Sequence, residues 1–284
     1  MRPALVILDF DGTFTDSEAE GAPFATAFPY VLAWHQQAPD EFIRAWSPSV
    51  VAVRHNSPEE GWFTNGVYSA PADADPYIRC SAAGLRMLRQ FGMGGDDEQR
   101  GALLAATYAE AYACSATSFR PHATEALDRI VDSGARVVVV TNSEPTHVAK
   151  KIDHLGLQDR AAVTVVGNAM KFWVDAKGCD DPAFAALPTE QRWPGLQRSV
   201  LLKRSKYFNI LAQLWRETGC GPAETLVCGD IYELDLALPA ALGARVALMK
   251  RANTYGYERA AVAALGLRGR FIYDLREVAD WVTT

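Results

Sequence analysis

The sequence has no C-x-x-C pair. Its five cysteines, Cys80, Cys114, Cys179, Cys220 and Cys228, are odd in number and scattered. That argues against a disulfide framework and against a zinc site. Reduced thiols suit a cytoplasmic setting, which is the expected location. No apolar run approaches about 20 residues, so no membrane span is expected. After Met1, Arg2 and Pro3 the chain enters a short apolar run at residues 4–8 and meets acidic residues at once. This is too short for the apolar region of a signal peptide, and none is expected. A basic block is also missing. With a net charge of −6 and no Arg/Lys-rich face, nucleic acid is not an expected partner. Lysine is absent from the whole of residues 17–119. No internal repeat or low-complexity tract occurs, and no feature sets an oligomeric state.

What is present is the composition of a globular protein. The 284 residues are 49% apolar and 22% charged, enough for one large domain or two modest ones. Five short runs rich in Val, Ile or Leu occupy residues 4–8, 136–140, 162–166, 225–228 and 244–249. Each is too short for a helix and reads as a strand buried on both faces, as in a parallel sheet. Helical patterns lie between them. Residues 122–133 carry Leu127, Ile130 and Val131 on one face and stop at Gly134. Residues 146–154 follow Pro145. Residues 206–216 place Tyr207, Ile210, Leu211, Leu214 and Trp215 at helical spacing. Alternating strands and helices predict an α/β fold, a Rossmann-like doubly wound parallel sheet.

Two stretches interrupt the alternation. Residues 17–119 look helical: 83–91 form one candidate helix, and Asp96 with Gln99 forms a capping box ahead of Leu103, Leu104, Tyr108 and Tyr112. About 100 residues after the first strand make a second domain rather than a loop. The predicted division is therefore residues 1–16 and 120–284 for the α/β core, and 17–119 for the insert. The second interruption, residues 167–198, is rich in Pro, Gly, Asp and Trp and reads as an irregular excursion with a short hairpin around 171–174.

The chemistry concentrates at strand ends. Asp9-Phe10-Asp11-Gly12-Thr13 directly follows the first strand. In an open α/β sheet, ligands bind beyond the carboxyl ends of the strands. Two carboxylates two residues apart on a glycine turn can both reach that crevice, one to attack a phosphorus atom and the other to handle protons. Strand 136–140 runs into Thr141-Asn142-Ser143. Strand 225–228 runs into Gly229-Asp230, with Asp235 five residues beyond Asp230. In this order and at these strand ends, the motifs resemble those of the haloacid dehalogenase-like hydrolase superfamily, and the resemblance spans the α/β core.

The resemblance implies a set of roles. Asp9 would be the nucleophile, forming an aspartyl-phosphate, and Asp11 the general acid/base. Asp9, the Asp11 carbonyl and Asp230 would hold Mg²⁺, whose preference is for oxygen ligands. Thr141, through its hydroxyl, and Asn142, through its backbone N–H, would bind phosphoryl oxygens. A lysine ahead of the fourth strand would neutralise the phosphate. Lys203 and Lys206 are the two candidates; neither sits in the Lys-Pro pair common in the family, and spacing favours Lys206. Asp235 would bond the lysine or metal-bound water; Glu233 is an alternative outer acid, with a solvated glutamate the favoured reading. Phe14 departs from the family's smaller aliphatic residue. The insert corresponds to what the family calls a C1 cap, in which Trp34, Trp46, Trp62, Arg54 and His55 read as core or surface rather than substrate contacts.

The implied activity is Mg²⁺-dependent hydrolysis of a small phosphorylated metabolite, a phosphate monoester. Asp11 separates this from dehalogenation, since the family's dehalogenases lack an aspartate there. Phosphonate hydrolysis would need a lysine in the cap, and there is none. A phosphomutase acting on a sugar phosphate would use the same two aspartates. A non-catalytic binding protein retaining the fold is the reading from a different class, and Asp9, Asp11 and Asp230 together speak against it.

Overall fold

A computed structural model describes residues 2–64 and 66–284. The elements in chain order are β1 (Leu5–Leu8), α1 (Ser17–Gln36), α2 (Asp40–Asn56), β2 (Gly61–Thr64), β3 (Val67–Pro71), α3 (Pro76–Gln90), α4 (Asp97–Tyr112), α5 (Ala123–Asp132), β4 (Arg136–Val140), α6 (Pro145–Asp153) and β5 (Val163–Val166). They continue with α7 (Pro182–Ala186), β6 (Glu190–Gln191), β7 (Val200–Leu201), α8 (Ser205–Thr218), β8 (Thr225–Gly229), α9 (Ala237–Ala241), β9 (Arg245–Met249), α10 (Gly256–Ala263), β10 (Gly269–Ile272) and α11 (Arg276–Thr283). The chain divides into two compact units, Met1–Asp16 with Phe119–Thr284, and Ser17–Ser118.

The first unit is built on a six-stranded sheet in the order β10-β9-β8-β1-β4-β5. Every pairing in it is parallel. β1 lies between β4 and β8, with Leu8 opposite Val139 on one side and Cys228 on the other. Side chains alternate across a strand, so each strand feeds two cores. Leu5, Ile7, Val138, Val140, Val227, Val246 and Leu248 face one way and pack with Tyr207, Phe208 and Leu211 of α8 and with Tyr257 and Ala261 of α10. Val6, Leu8, Val137, Val139, Leu226, Cys228, Ala247 and Met249 face the other way, with Leu127 and Ile130 of α5 and Val278 and Trp281 of α11. Both faces are covered, as the uninterrupted apolar runs require. Gly134, at φ +82, turns the chain out of α5 into β4.

The topology locates a crevice. From β1 the chain winds outward through β4 to β5, then returns to the other side of β1 and winds through β8 and β9 to β10. Winding reverses at β1, so the carboxyl ends of β1, β4 and β8 diverge there, leaving the cleft in which doubly wound sheets bind ligands.

The second unit is a helical body with its own core. Phe24, Phe28 and Leu32 of α1 meet Phe42 of α2, Tyr77, Cys80, Met87 and Leu88 of α3 and Ala111 of α4. Phe24 packs on Tyr77 and Tyr108 at ring separations of 4.8 and 5.1 Å. The capping box at the start of α4 is present: the Asp96 carboxylate accepts from the Gln99 N–H, and the Gln99 side chain accepts from the Asp96 N–H, both at 2.9 Å. Arg79, buried on α3, pairs with Asp73 and with Glu18 of α1.

Three elements differ from the sequence expectations. The hairpin expected around 171–174 is not formed; residues 171–172 make a turn, and the paired strands are β6, late in the excursion, and β7, just after it. β10 was not foreseen, because its four residues Gly-Arg-Phe-Ile lack the continuous apolar run of a central strand and it lies at the sheet edge. The β2–β3 hairpin interrupts a segment read as wholly helical. Among the described residues no helix is long and apolar enough to cross a membrane.

Candidate active site

Asp9 leaves β1 at its carboxyl end, where its N–H still bonds the Cys228 carbonyl at 2.8 Å. The chain then turns sharply. Thr13 and Phe14 both donate backbone N–H bonds to the Phe10 carbonyl, at 3.2 and 2.9 Å. Gly12 sits at φ +83, a conformation an L side chain disfavours. A Cβ there would also overlap the Asp230 carboxylate. Glycine is thus what lets the carboxylate after β8 approach the turn after β1. Arg120 closes the outer side, donating Nε and Nη2 to the Gly12 carbonyl at 2.9 and 2.7 Å and Nη2 to the Lys250 carbonyl at 3.0 Å.

The two aspartates of the turn take different partners. Asp9 Oδ1 accepts from Lys171 Nζ at 2.6 Å, and Asp9 Oδ2 accepts from the Thr13 hydroxyl at 3.1 Å. Asp11 Oδ2 accepts from the Ser143 hydroxyl at 2.6 Å and from the Thr141 hydroxyl at 3.3 Å. Lys151 of α6 places its ammonium 4.0 Å from Asp11 Oδ1 and 5.8 Å from the Phe10 ring centre. The Thr141 hydroxyl also accepts from the Ser143 N–H at 3.0 Å, which folds the loop after β4 around Asp11.

After β8 the chain enters a π-helical turn, Tyr232–Leu236. Such wide turns collect at functional sites because they re-aim side chains. This one turns Asp235 back: its Oδ2 accepts from the Ile231 N–H at 3.0 Å, and its Oδ1 accepts from Lys171 Nζ at 2.6 Å. Asp235 packs so closely on Gly229 that no Cβ fits there. Asp9, Asp230 and Asp235, all buried, bring one carboxylate oxygen each within 4.8 Å of one another.

The lysine beside Asp9 is Lys171, a residue the sequence reading passed over, and not Lys206 or Lys203. Lys206 points to solvent from α8. Lys203 caps α7, donating to the Phe184 carbonyl at 2.5 Å and the Ala185 carbonyl at 3.1 Å. Spacing to Gly229-Asp230 favours Lys206, but the lysine in contact with Asp9 stands near the start of the irregular excursion, ahead of most of it. From β5 the chain passes Asn168 (φ +50) and Met170 (φ +47) and delivers Lys171 beneath β4, where Nζ also bonds the Val140 carbonyl at 3.1 Å. A methionine at positive φ is an uncommon strain, but it is visible only in three dimensions. Ser143, for which the sequence implies no role, makes the shorter of the two hydroxyl contacts to Asp11. Asn142 uses its side chain here, Oδ1 accepting from the Lys171 N–H at 2.7 Å. Glu233 is neither a solvated glutamate nor an outer acid of the site: it is buried and paired with Arg198 at 2.6 Å.

The electrostatics match this packing. The Asp9 carboxyl is raised to about 7: burial pushes it up most, the Lys171 charge pulls against that, and the neighbouring Asp235 charge adds to the rise. Burial would lower the Lys171 ammonium, but Asp235 and Asp9 outweigh it and hold it above the ordinary lysine range. One ammonium does not balance three buried carboxylates. A small divalent cation with a preference for oxygen ligands fits the remainder, and carboxylates of this kind are what Mg²⁺ takes.

The family model for haloacid dehalogenase-like hydrolases matches residues 3–243. No curated protein matches in sequence. Among solved structures, a predicted phosphoglycolate phosphatase from Haemophilus somnus has a TM-score of 0.55 at 15% identity, covering 99% of this chain and 98% of that one. The HAD-hydrolase YfnB from Bacillus subtilis, solved bound to magnesium, has a TM-score of 0.52 at 16% identity over 100% of both chains. A HAD family hydrolase from Deinococcus radiodurans, with bound phosphate and sodium, has a TM-score of 0.50 at 16% identity over 99% of this chain and 98% of that one. At these identities the structures speak for the fold, and it is the family model over most of the length that places this chain among the haloacid dehalogenase-like hydrolases.

Proposed function

We propose that the protein is a Mg²⁺-dependent phosphatase that hydrolyses a small-molecule phosphate monoester through an aspartyl-phosphate on Asp9. The observation that carries this reading is the separate seating of two aspartates on one turn. Asp9 lies among buried carboxylates against a lysine, whereas Asp11 is held by two hydroxyls. A dehalogenase has no need of the second carboxylate, and a phosphatase does.

In this mechanism an Asp9 oxygen attacks phosphorus and the ester P–O bond breaks. Asp11 gives its proton to the departing alcohol oxygen. It then takes a proton from water, whose oxygen attacks phosphorus, breaks the Asp9–phosphorus linkage and releases inorganic phosphate. Ser143 and Thr141 keep the Asp11 carboxyl aimed through both half-reactions. Lys171 offsets phosphoryl charge and favours the ionised form of Asp9. Asp9, Asp230 and the Asp11 carbonyl would hold Mg²⁺, which supplies the charge neutralisation that lets a carboxylate approach a phosphate dianion. Asp235 orients Lys171.

The test is phosphate release from a generic aryl phosphate and a panel of metabolite phosphates, with Mg²⁺ and with EDTA. Release that EDTA abolishes is the expected result. Isomerised sugar phosphate without free phosphate would replace this reading by a mutase. A folded protein that binds Mg²⁺ and turns over none of the panel would replace it by a binding role.

A second expectation concerns the metal. In the metal-free fold Asp9 holds its proton up to about pH 7, whereas the unfolded chain loses it near 3.8. The stability this lends is present at low pH and disappears as pH rises through 7. Magnesium binds the ionised form, so the gain in Tm on adding Mg²⁺ is larger near pH 8 than near pH 6. Equal gains at both would remove Asp9 from the metal set.

A further inference from the structure

Unlike the aspartates of the site, Lys171 is carried by no strand end or helical turn. Asp9 follows β1, Thr141 follows β4, and Asp230 and Asp235 follow β8. Lys171 stands in irregular chain after two residues at positive φ. A lysine side chain is long and rotamer-rich, so its bonds to Asp9 and Asp235 position it only if its backbone is held as well.

Both backbone groups of Lys171 are held by side chains. Its N–H donates to Asn142 Oδ1 at 2.7 Å. Its carbonyl accepts from Arg204 Nη1 at 2.7 Å. Arg204 is fully buried, an arrangement that costs free energy unless the guanidinium is satisfied. Its Nε donates to the Leu201 carbonyl at 3.0 Å, and its own carbonyl accepts the Phe208 N–H at 2.9 Å in the first turn of α8. Arg204 therefore ties the start of α8 to the lysine across the rest of the excursion. That excursion is tied a second time, where Arg198 forks onto Glu233 at 2.8 and 2.6 Å and Tyr257 joins Glu233 at 2.6 Å. Glu233 belongs to the same π-helical turn as Asp235.

We propose that Arg204 and Asn142 clamp the Lys171 backbone from its two sides, and that Arg204 is a positioning residue for this lysine. The inference rests on the phosphatase reading for its catalytic consequence, but not for the clamp itself. Trace reductive methylation followed by peptide mass spectrometry reads the accessibility of each lysine in metal-free, substrate-free protein. Arg204→Met raises labelling of Lys171 about tenfold and leaves Lys151 and Lys206 at wild-type levels. Arg204→Lys, which keeps a cation and a donor, falls between. In the phosphatase assay, Arg204→Met lowers kcat about tenfold, and this loss vanishes in a Lys171→Met background, because a residue acting through another has nothing left to act on. Should circular dichroism show Arg204→Met unfolded, Asn142→Ala releases the other side of the clamp and is expected to expose Lys171 alone. Unchanged Lys171 labelling in a folded variant, or a rise that Lys151 shares, overturns the clamp. A wild-type protein that releases no phosphate overturns the phosphatase reading and leaves the labelling result to decide the clamp by itself.

Discussion

Asp9→Asn is expected to lower phosphate release by about 10⁴–10⁶-fold, the range seen when a covalent nucleophile is removed from a preorganised site. Asparagine is nearly isosteric with aspartate, so the turn closed on the Phe10 carbonyl and the Thr13 hydroxyl contact can persist. What disappears is the anionic oxygen that attacks phosphorus. The stability should move in the opposite direction. Asp9 is a buried carboxyl pushed up to about 7, next to Asp235. Without magnesium its charge above that pH is a burden on the fold, and the amide removes it. Asp9→Asn should therefore melt at or above the wild-type temperature in EDTA near pH 8, with no comparable gain near pH 6. The measurement is a pair of thermal melts beside a phosphate-release assay. Substantial turnover by the variant would remove Asp9 from the role of nucleophile.

Lys171→Met should damage both chemistry and fold, and Lys206→Met should damage neither. Lys171 is buried between Asp9 and Asp235 at 2.6 Å from each. Removing one partner of a buried ion pair leaves uncompensated charge and costs about 3–5 kcal/mol. Without the lysine's pull the Asp9 carboxyl would be pushed up further and hold its proton, which disables the nucleophile as well. Loss of a preorganised cation aimed at developing phosphoryl charge costs about 10²–10³ in rate. Lys206 lies on the exposed side of α8, where a substitution stays within about 0.5 kcal/mol. Chemical denaturation and steady-state kinetics of the two variants test this together. A Lys206→Met protein with the larger rate loss would reverse the assignment.

The contrast between these lysines marks where sequence reading worked and where it failed. The strands were legible because a parallel sheet covered on both faces demands unbroken apolar runs, and Leu5–Leu8, Arg136–Val140 and Thr225–Gly229 supply them. Asp9, Asp11, Thr141, Asn142 and Asp230 could be picked out because each lies within three residues of the end of such a run, so that one-dimensional position implies location in the crevice, whereas Asp235 was singled out only through the resemblance of its spacing to the family's motif. Lys171 follows its strand by five residues through a turn strained at Asn168 and Met170. Nothing in composition or periodicity indicates that turn, and the expected Lys-Pro pair is missing. The apolar stripe of α8 drew attention to Lys206 instead, at a point where the chain has already left the site. The short hairpin β2–β3 was hidden for a related reason: its strands have four and five residues and stand among long helices.

The pairing of Thr15 with Phe119 has a consequence for how such a protein can change over generations. The two residues flank Ser17–Ser118, so the chain departs from the α/β unit and re-enters it at neighbouring points. Seen from the sheet, everything between is a loop whose ends are already closed. Loop-closure entropy grows only slowly with length. A lineage could lengthen, trim or exchange that segment with little strain on the register of β1, leaving the aspartate turn intact.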